Sequence, residues 1–490
     1  MTQHETGRTS AIRPRRVITY GTFDLFHQGH VRLLERAKEL GDHLIVGVTT
    51  ESYDDARGKL NVRQSLMQRI RNVQASGLAD EIIVEEYEGQ KINDIQRYDV
   101  DVFAIGSDWR GKFDNLADYC EVVYLERTAG VSSTMLRNEE DGILKFGVVG
   151  AGRIAERFVP ECRYVSGVEV TGVYSRTASV ATDFARRHEL QFAARGYDEL
   201  LERVDAVYVA SPHESHFDHA RRAILSGVHV LCEKPLTLTG AETATLFALA
   251  RDAGVVLLEG IKTAYSPGFQ RMAAVAGSGL VGELRAVTAS FTKLVDPAAR
   301  ELTDRHGGSL AELGSYPLLA ITKLLGPSAD RLTAYSYRPE GSPVDHFSRI
   351  DLVFPNAIAT ASVGLGVKTE GDLVVAGTRG YLYVPAPWWK TEYFEARFED
   401  PSQNKKFYLK FDGEGLRYEV AEFASTIRGG RPESFKLRAQ ESVAISAMIE
   451  RARAEAIPFG GGERRRPARD QVDAESWIPA QRGRLRAVEA

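Results

Sequence analysis

The chain has few cysteines and no long apolar run. Three cysteines, Cys120, Cys162 and Cys232, are too few and too scattered for a disulfide framework or a four-ligand zinc site. We therefore expect reduced, half-buried thiols. No apolar stretch approaches the roughly 18 residues that a membrane span needs, and the polar N-terminus lacks the apolar stretch of a signal peptide. These absences predict a cytoplasmic protein without a membrane span.

Charge of one sign is not in excess either. The 62 Lys and Arg residues nearly balance the 67 Asp and Glu residues, which leaves a net charge of −5. Such a balance gives no general attraction to nucleic acid, although local clusters can still hold small anions. With 490 residues, of which 43% are hydrophobic, the chain is long enough for two or more domains with complete cores.

Strands and helices alternate over the first half of the chain. Apolar runs such as 17–20, 43–49 and 102–106 are separated by segments with helical spacing, and the same alternation restarts at Leu144. This pattern predicts two α/β domains with parallel, doubly wound sheets. From about residue 284, longer alternating strands predict an α+β domain whose large sheet is mostly antiparallel, with one covered face.

Composition shifts suggest where these domains begin and end. The charged stretch 137–142 separates two complete strand-helix patterns, and three glycines at 460–462 open an Arg-rich tail. We predict a disordered tail (1–15), a nucleotidyltransferase domain (16–138), a linker (139–143), a dinucleotide-binding domain (144–265), an α+β substrate and dimerisation domain (266–458) and a polar tail (459–490).

The first candidate site is the motif His27-Gln28-Gly29-His30, where a strand gives way to a helix. A helix N-terminus attracts phosphate, Gly29 allows a close approach of the backbone, and two imidazoles can donate to oxygens of a transferring phosphoryl group. Two satisfied structural histidines, or two metal ligands, would give the same spacing.

Three blocks extend the motif in order along the chain: residues 19–42, 106–114 and 124–134. Together they resemble the glycerol-3-phosphate cytidylyltransferases over about residues 17–137. The resemblance implies transfer of CMP from CTP to a polyol phosphate, with Mg²⁺ bound alongside CTP and no metal cage in the protein. By position, the implied CTP-binding residues are Thr22, Phe23, Asp24, Gly29, Asp108, Thr128, Ser132, Ser133 and Thr134. The implied catalytic residues are His27, His30, Lys59 and Arg127, and Arg63 and Lys91 would bind the acceptor phosphate.

The chain also departs from that family. The loop between Thr50 and Arg63 is shorter, and an insertion at 74–78 lengthens the next connection, so the acceptor pocket can differ. Lys59 and Lys91 could also be solvated surface lysines, as isolated lysines usually are.

The second candidate site is Gly150-Ala-Gly152-Arg153-Ile154-Ala155, which follows an apolar strand and opens a helix. In this context the glycines indicate a dinucleotide-binding turn. The next strand ends in Ser175 and Arg176, where a site selective for NAD would place an acidic residue. Ser and Arg suit a 2′-phosphate, so we expect NADP, with NAD as the alternative.

Ser211-Pro212 and Glu233-Lys234-Pro235 follow the next two predicted strands. Together with residues 281–283, 307–317 and 376–382 they resemble the Gfo/Idh/MocA oxidoreductases over about residues 144–457. The resemblance implies that Ser211, Pro212, His216 and Glu233 bind the cofactor and that Lys234 contacts the reacting oxygen. Tyr316 takes the place of the acid/base, as a phenol that a neighbouring lysine makes more acidic. Lys262 and Glu312 are implied to bind the substrate.

His213, His216 and His219 recur every three residues. On a helix this spacing spreads side chains around the axis, so we do not expect a metal site. We interpret His216 as a polar group near the nicotinamide, and His213 and His219 as surface residues.

The combined expectation is a bifunctional enzyme. It would transfer CMP to a polyol or ketose phosphate, reduce the keto precursor or a CDP-ketose with NAD(P)H, and serve the synthesis of cell-wall or capsular polymers. By resemblance we also expect a homo-oligomer. In a first alternative only the cytidylyltransferase works and the oxidoreductase part is a scaffold or nucleotide sensor, supported by Glu312 where the family more often has Asp. In a second, the first site is an adenylyltransferase.

Overall fold

The computed structural model describes residues 13–50, 54, 62, 64–87, 89–126 and 142–460. These residues form three sheets with their helices. Of the predicted N-terminal tail, residues 13–15 are described, and the guanidinium of Arg13 pairs with Asp99 and Asp101 at 2.6 Å. Most of the predicted linker and C-terminal tail lies outside the described residues, so the domain boundaries stay predictions.

The first sheet has five parallel strands in the order β3-β2-β1-β4-β5. Its elements, in chain order, are β1 (Arg16–Gly21), α1 (Gln28–Lys38), β2 (His43–Thr49), α2 (Leu66–Ala75), β3 (Glu81–Glu85), α3 (Gln90–Arg97), β4 (Val102–Gly106) and β5 (Glu121–Leu125). The chain builds β2 and β3 on one side of β1 and then β4 and β5 on the other. The crevice at the carboxyl ends of β1 and β4 is therefore a topological switch point, where open α/β sheets bind ligands.

The second sheet has six parallel strands in the order β11-β10-β9-β6-β7-β8. Its elements are β6 (Leu144–Val149), α4 (Arg153–Cys162), β7 (Val168–Tyr174), α5 (Ala178–His188), β8 (Phe192–Ala193), α6 (Tyr197–Leu201), β9 (Ala206–Val209), α7 (His216–Leu225), β10 (His229–Glu233), α8 (Gly240–Ala253) and β11 (Leu257–Gly260). The order reverses between β6 and β9, which makes a second switch point.

The third sheet has nine strands in the order β19-β18-β17-β16-β12-β15-β14-β13-β20. The intervening and final helices are α9 (Lys262–Tyr265), α10 (Pro267–Gly277), α11 (Arg300–Thr303), α12 (Ser309–Leu313), α13 (Ser315–Leu325), α14 (Leu416–Arg428) and α15 (Ala439–Glu455). The strands are β12 (Leu284–Thr292), β13 (Arg331–Tyr337), β14 (Phe347–Val353), β15 (Ile358–Gly364), β16 (Leu373–Gly377), β17 (Tyr381–Val384), β18 (Tyr393–Arg397), β19 (Lys405–Tyr408) and β20 (Ile457–Phe459).

Two pairs of this sheet, β12 with β15 and β13 with β20, are parallel, and the other pairs are antiparallel. Alternate residues of its strands are buried, as in β13, where Leu332 and Ala334 are buried while Tyr335 is exposed. The predicted mostly antiparallel sheet with one covered face is therefore confirmed.

One hydrophobic core joins the second and third sheets. Phe146 of β6 and Phe158 of α4 belong to the same buried cluster as Leu318 of α13 and Val375 of β16. The two sheets are therefore held against each other by packed side chains.

The described residues can be compared with the expectations for membrane spans and cysteines. Their helices include none with the length and apolar character to cross a membrane. All three cysteines are free thiols, but Cys162 and Cys232 are fully buried rather than half-buried. Burial, together with nearby carboxylates, raises the pKa of both thiols.

Candidate active sites

The two histidines of the first motif form the start of α1. His27 is the N-cap, and its Nδ1 accepts a hydrogen bond from the backbone N–H of Gly29 at 3.0 Å. Nδ1 of His30 accepts from the N–H of His27 at 3.4 Å, and the two rings stack with centroids 3.9 Å apart. Because Nδ1 accepts in both rings, a neutral ring carries its proton on Nε2, which becomes a donor suited to phosphate oxygen.

The loop before α1 holds an unusual backbone. Phe23 and Leu25 have φ values of 54° and 48°, in the left-handed region that residues other than glycine rarely adopt. Gln64 fixes this loop, since its N–H donates to Asp24 and its side-chain oxygen accepts from the N–H of Leu25. Phe23 and Asp24 are buried, so a contact of either with a nucleotide would come from the backbone. The ring of Phe23 packs edge-on against the ring of His30, with ring centres 5.3 Å apart.

A buried ion pair beneath this loop was missed by the sequence analysis. Arg69 of α2 is fully buried and donates to the carbonyl oxygens of Thr22, at 2.8 Å, and Thr49, at 2.7 Å. Its guanidinium also lies 3.3 Å from Asp54, which accepts hydrogen bonds from the hydroxyls of Thr22 and Thr49. The available signal was that Arg69 falls on the apolar face of α2, between Leu66 and Val73.

Other predicted residues of the first site are placed as follows. Lys91 is buried, paired with Glu85, and lies 4.6 Å from the ring centre of Tyr20, so its interpretation as a solvated surface lysine is wrong. Asp108 follows β4 and is exposed. Seven predicted residues lie outside the described residues: Lys59, Arg63, Arg127, Thr128, Ser132, Ser133 and Thr134.

The second motif forms a tight turn after β6. Gly150 has a φ of +100°, and a Cβ there would meet the carbonyl oxygen of Ala210 at 2.6 Å. Gly152 is the N-cap of α4, has no side-chain cap, and a Cβ on it would meet nothing within 4 Å. An uncapped helix start that faces open space fits the diphosphate of a dinucleotide.

The predicted residues of the second site converge on one cavity of about 980 Å³. This volume is typical of small-molecule and cofactor sites. The residues that line it are Gly150, Gly152, Arg153, Ile154, Ser175, Arg176, Ser211, Pro212, His216, Glu233, Lys234, Lys262, Glu312 and Tyr316. Ala155 is the exception, because it is buried in the core under the turn.

The three histidines differ from expectation. His213 is buried and lines the cavity, and His219 also lines it, so their interpretation as surface residues is wrong. Burial lowers the pKa of His213 well below its usual value. His216 is fully buried, and its two ring nitrogens lie 2.9 and 2.8 Å from the carbonyl oxygens of Pro235 and Ser211. It therefore joins the loops after β9 and β10. Among the described residues no group of three or more His, Cys, Asp or Glu could hold a metal ion.

Lys234 lines the cavity and is held there by Glu312. Its ammonium donates to the carbonyl oxygen of Glu312 at 3.1 Å and lies 3.8 Å from the carboxylate. The same carboxylate lies 3.9 Å from His213 and from Arg300. Glu312 thus holds the lysine through its backbone carbonyl, and its carboxylate adds an attraction at longer range.

Tyr316 lines the cavity, but its acidity differs from the prediction. Burial, together with the carboxylates of Glu233, Glu419 and Glu312, raises the pKa of this phenol instead of lowering it. The prediction overlooked Glu233 and Glu419, which lie far from Tyr316 in sequence, and the effect of Glu312, four residues before it. A phenol with a raised pKa stays protonated at neutral pH and can still donate to a developing alkoxide.

Buried carboxylates under the cavity were also missed. Glu259 is fully buried, and burial raises its pKa to about 7. Glu419 of α14 is buried as well, and its pKa is raised by burial and by Glu233. Both acids lie in segments whose sequence predicts a buried strand or helix without a functional motif.

Comparison with known proteins bears on both sites. The cytidylyltransferase-like family model matches residues 18–139. The model of the oxidoreductase family with an NAD-binding Rossmann fold matches residues 144–261, and the GFO/IDH/MocA C-terminal domain matches residues 269–383.

Individual relatives divide in the same way. Glycerol-3-phosphate cytidylyltransferase of Bacillus spizizenii is 50% identical over 125 residues, which cover 26% of this chain and 96% of that protein. Trans-1,2-dihydrobenzene-1,2-diol dehydrogenase of Sus scrofa is 29% identical over 324 residues, 63% of this chain and 96% of that protein.

A solved structure resembles the second half of the chain. It is a 3-ketoreductase from Actinomadura kijaniata in complex with NADP and TDP-benzene, with 27% identity, a TM-score of 0.58, and coverage of 65% of this chain and 100% of that one. These matches support a nucleotidyltransferase and an oxidoreductase that uses a nicotinamide cofactor. The chain belongs to the glycerol-3-phosphate cytidylyltransferase family through its N-terminal part, and its residues 144–261 and 269–383 match the two domain models of the GFO/IDH/MocA oxidoreductases.

Proposed function

We propose that this bifunctional enzyme makes a CDP-activated polyol. One half transfers CMP from CTP to a polyol or ketose phosphate and releases pyrophosphate; the other reduces a ketone of the same carbon skeleton to an alcohol. The observation that carries the proposal is that one chain joins a His-x-Gly-His loop at one switch point to a Lys234–Tyr316 cavity at another.

In the first half, the oxygen of the acceptor phosphate attacks the α-phosphorus of CTP, and the bond to pyrophosphate breaks. The Nε2–H groups of His27 and His30 donate to the oxygens on which charge builds, and the N-terminus of α1 adds a favourable dipole. We assign Mg²⁺ to the triphosphate, because Mg²⁺ keeps several waters and is commonly bound by substrate phosphates.

In the second half, a nicotinamide cofactor held at the turn of Gly150 and Gly152 would supply the hydride for the carbonyl carbon. Lys234 donates a hydrogen bond to the carbonyl oxygen, and Tyr316 supplies the proton that completes the alcohol. Glu312 orients Lys234 through the contacts described above. Arg176, at the end of β7, would pair with a 2′-phosphate, so we propose NADP as the cofactor.

The order of the two reactions follows from which ketone is reduced. The 3-ketoreductase from Actinomadura kijaniata forms a complex with a TDP-linked compound, which favours a CDP-ketose as substrate here. A ketose phosphate, reduced before the transfer, is the other order. Either product suits polymer synthesis in a cell wall or capsule, and the use of CTP and a nicotinamide favours a cytoplasmic location.

We further propose that the chain forms a homo-oligomer. The outer face of the nine-stranded sheet exposes Tyr335, Ile358 and Tyr381 by 37%, 59% and 37%, a spread of apolar surface that a second copy could cover. Light scattering of the full chain tests this proposal, and a monomer at micromolar concentration would contradict it.

Two variants decide the reaction order. His30→Ala should stop pyrophosphate release, and Lys234→Ala should stop NADPH oxidation. Wild-type enzyme given CTP, NADPH and a panel of ketose phosphates should form a CDP-polyol. If transfer comes first, Lys234→Ala accumulates a CDP-ketose; if reduction comes first, His30→Ala accumulates an alditol phosphate. Failure of the wild type to form a CDP-linked product with any member of the panel would contradict the proposal.

A further inference from the structure

Three cations converge on a single carboxylate oxygen in the wall of the reductase cavity. Nη1 of Arg157, Nζ of Lys262 and Nζ of Lys390 lie 3.6, 3.9 and 3.7 Å from Oε2 of Glu414. All four residues line the cavity. Each distance is longer than a hydrogen bond, so the three cations share one oxygen loosely and none of them is satisfied by it.

The charges of this group do not balance. Three positive charges face one negative charge, which leaves an excess of two positive charges. Burial and the neighbouring Lys390 lower the pKa of Lys262, a sign that the cations repel each other there. The cavity as a whole also has an excess of positive charge, since eight Lys and Arg side chains and four Glu side chains line it. A phosphate or diphosphate ester carries about two negative charges at neutral pH and offers an oxygen to each cation.

Glu414 can leave the centre of this group without a change in the loop. Its side chain is 41% exposed. Its backbone carbonyl accepts a hydrogen bond from Lys262 at 2.7 Å, which holds the main chain independently of the carboxylate. The side chain can therefore rotate into solvent when a stronger anion enters.

The group lies on the far side of Lys234 from the predicted 2′-phosphate site. Arg176 follows β7, Lys234 follows β10 and Lys262 follows β11. In the strand order of the second sheet, β7 and β11 are four spacings apart, or roughly 19 Å. Trp389, next to Lys390 in the chain, also lines the cavity, and its ring stacks on Phe291 with ring centres 3.6 Å apart. This position suits a group of the substrate, not of the cofactor.

We propose that Arg157, Lys262 and Lys390 bind the phosphate or diphosphate group of the reductase substrate, and that Glu414 occupies their centre when no substrate is bound. The inference rests on the proposed function and narrows it: the reductase takes a phosphorylated or nucleoside-diphosphate-linked ketone in preference to a neutral one. Glu414 would act as an internal competitor that an anionic substrate displaces.

In the first test, calorimetry measures the binding of CDP to the full-length enzyme loaded with NADP⁺. CDP should bind at two sites. His30→Ala should weaken one of them, whereas Arg157→Ala and Lys390→Ala should each weaken the other at least fivefold. Lys405→Ala, an exposed lysine of β19, is the control and should change neither site. If neither Arg157→Ala nor Lys390→Ala changes any CDP site, the inference is overturned.

The second test uses Glu414→Gln, for which a ligand site and a structural ion pair predict opposite results. Removal of a competing charge should tighten the CDP site at least threefold, whereas loss of a structural partner would leave the site unchanged or weaker, and that result overturns the inference. NADPH oxidation with dihydroxyacetone phosphate and with dihydroxyacetone then links the site to turnover. Lys390→Ala should raise KM for the phosphorylated ketone alone, and an equal effect on both ketones argues against the site. If neither ketone is reduced but the CDP results hold, the subsite stands and the proposed reductase substrate fails.

Discussion

Replacement of Arg69 by Met should destabilise the first α/β unit and impair cytidylyl transfer without affecting NADPH oxidation. Arg69 is fully buried, donates to one carbonyl oxygen in the loop after β1 and to another at the end of β2, and pairs with Asp54. Its removal leaves the carboxylate of Asp54 buried without its cation. Loss of one partner of a buried pair costs about 3–5 kcal/mol.

This loss is large against a typical domain stability of about 5–15 kcal/mol. At roughly 4 °C per kcal/mol, the unfolding transition of this unit should fall by about 12–20 °C. Calorimetry of the full chain would measure it, with pyrophosphate release followed at low temperature. Arg71→Met is the matched control, since Arg71 is exposed on the same helix and its replacement should cost less than about 0.5 kcal/mol.

The double variant Arg69→Met with Asp54→Asn separates the ion pair from simple packing. Because the amide carries no charge, the second replacement should recover part of the stability lost in the first. An equal shift for Arg69→Met and Arg71→Met, or no recovery in the double variant, would refute the role assigned to the buried pair.

Three further predictions concern the reductase. Arg176→Ala should raise KM for NADPH about tenfold and leave KM for NADH unchanged, because only NADPH carries the 2′-phosphate; an unchanged ratio refutes this role. Tyr316→Phe should lower kcat about 100-fold, while NADPH binding, measured by fluorescence, is retained. Because the pKa of Tyr316 is raised, the rate of the wild-type enzyme should show no loss from ionisation of this phenol below pH 10. For Glu259→Gln, the sign follows from a folded pKa of about 7 against an ordinary 4.5. The folded wild type binds more protons between these values, so its stability falls as the pH rises through this window. The variant should therefore gain up to about 3 kcal/mol over wild type from pH 5 to pH 8 in thermal unfolding, and a constant difference would contradict the shift.

The sequence predicted the parts of both sites that are contiguous along the chain. The His-x-Gly-His loop and the turn at Gly150 follow strands and open helices, so local pattern alone indicates their position at the carboxyl edges of the sheets. The three sheets followed from strand-helix alternation and from the later period-two strands.

Residues that meet only through the fold were not predictable in this way. Arg157 lies more than 200 residues before Lys390 and Glu414, and no local pattern marks the three residues. The raised pKa of Tyr316 depends on Glu233 and Glu419, which only tertiary packing brings to it. His213 reads as a surface residue at a helix start because its burial comes from the distant segment at Glu312 and His306.

We propose above all that one chain carries out both reactions on one carbon skeleton. The most direct test supplies the purified enzyme with CTP, NADPH and the ketose phosphate that gives the fastest turnover, and follows pyrophosphate and NADPH absorbance in the same reaction. We expect one pyrophosphate to be released for each NADPH oxidised, with a CDP-polyol as the product. Pyrophosphate release with no NADPH oxidation for any ketose phosphate in the panel would contradict it and leave a cytidylyltransferase joined to an inactive partner.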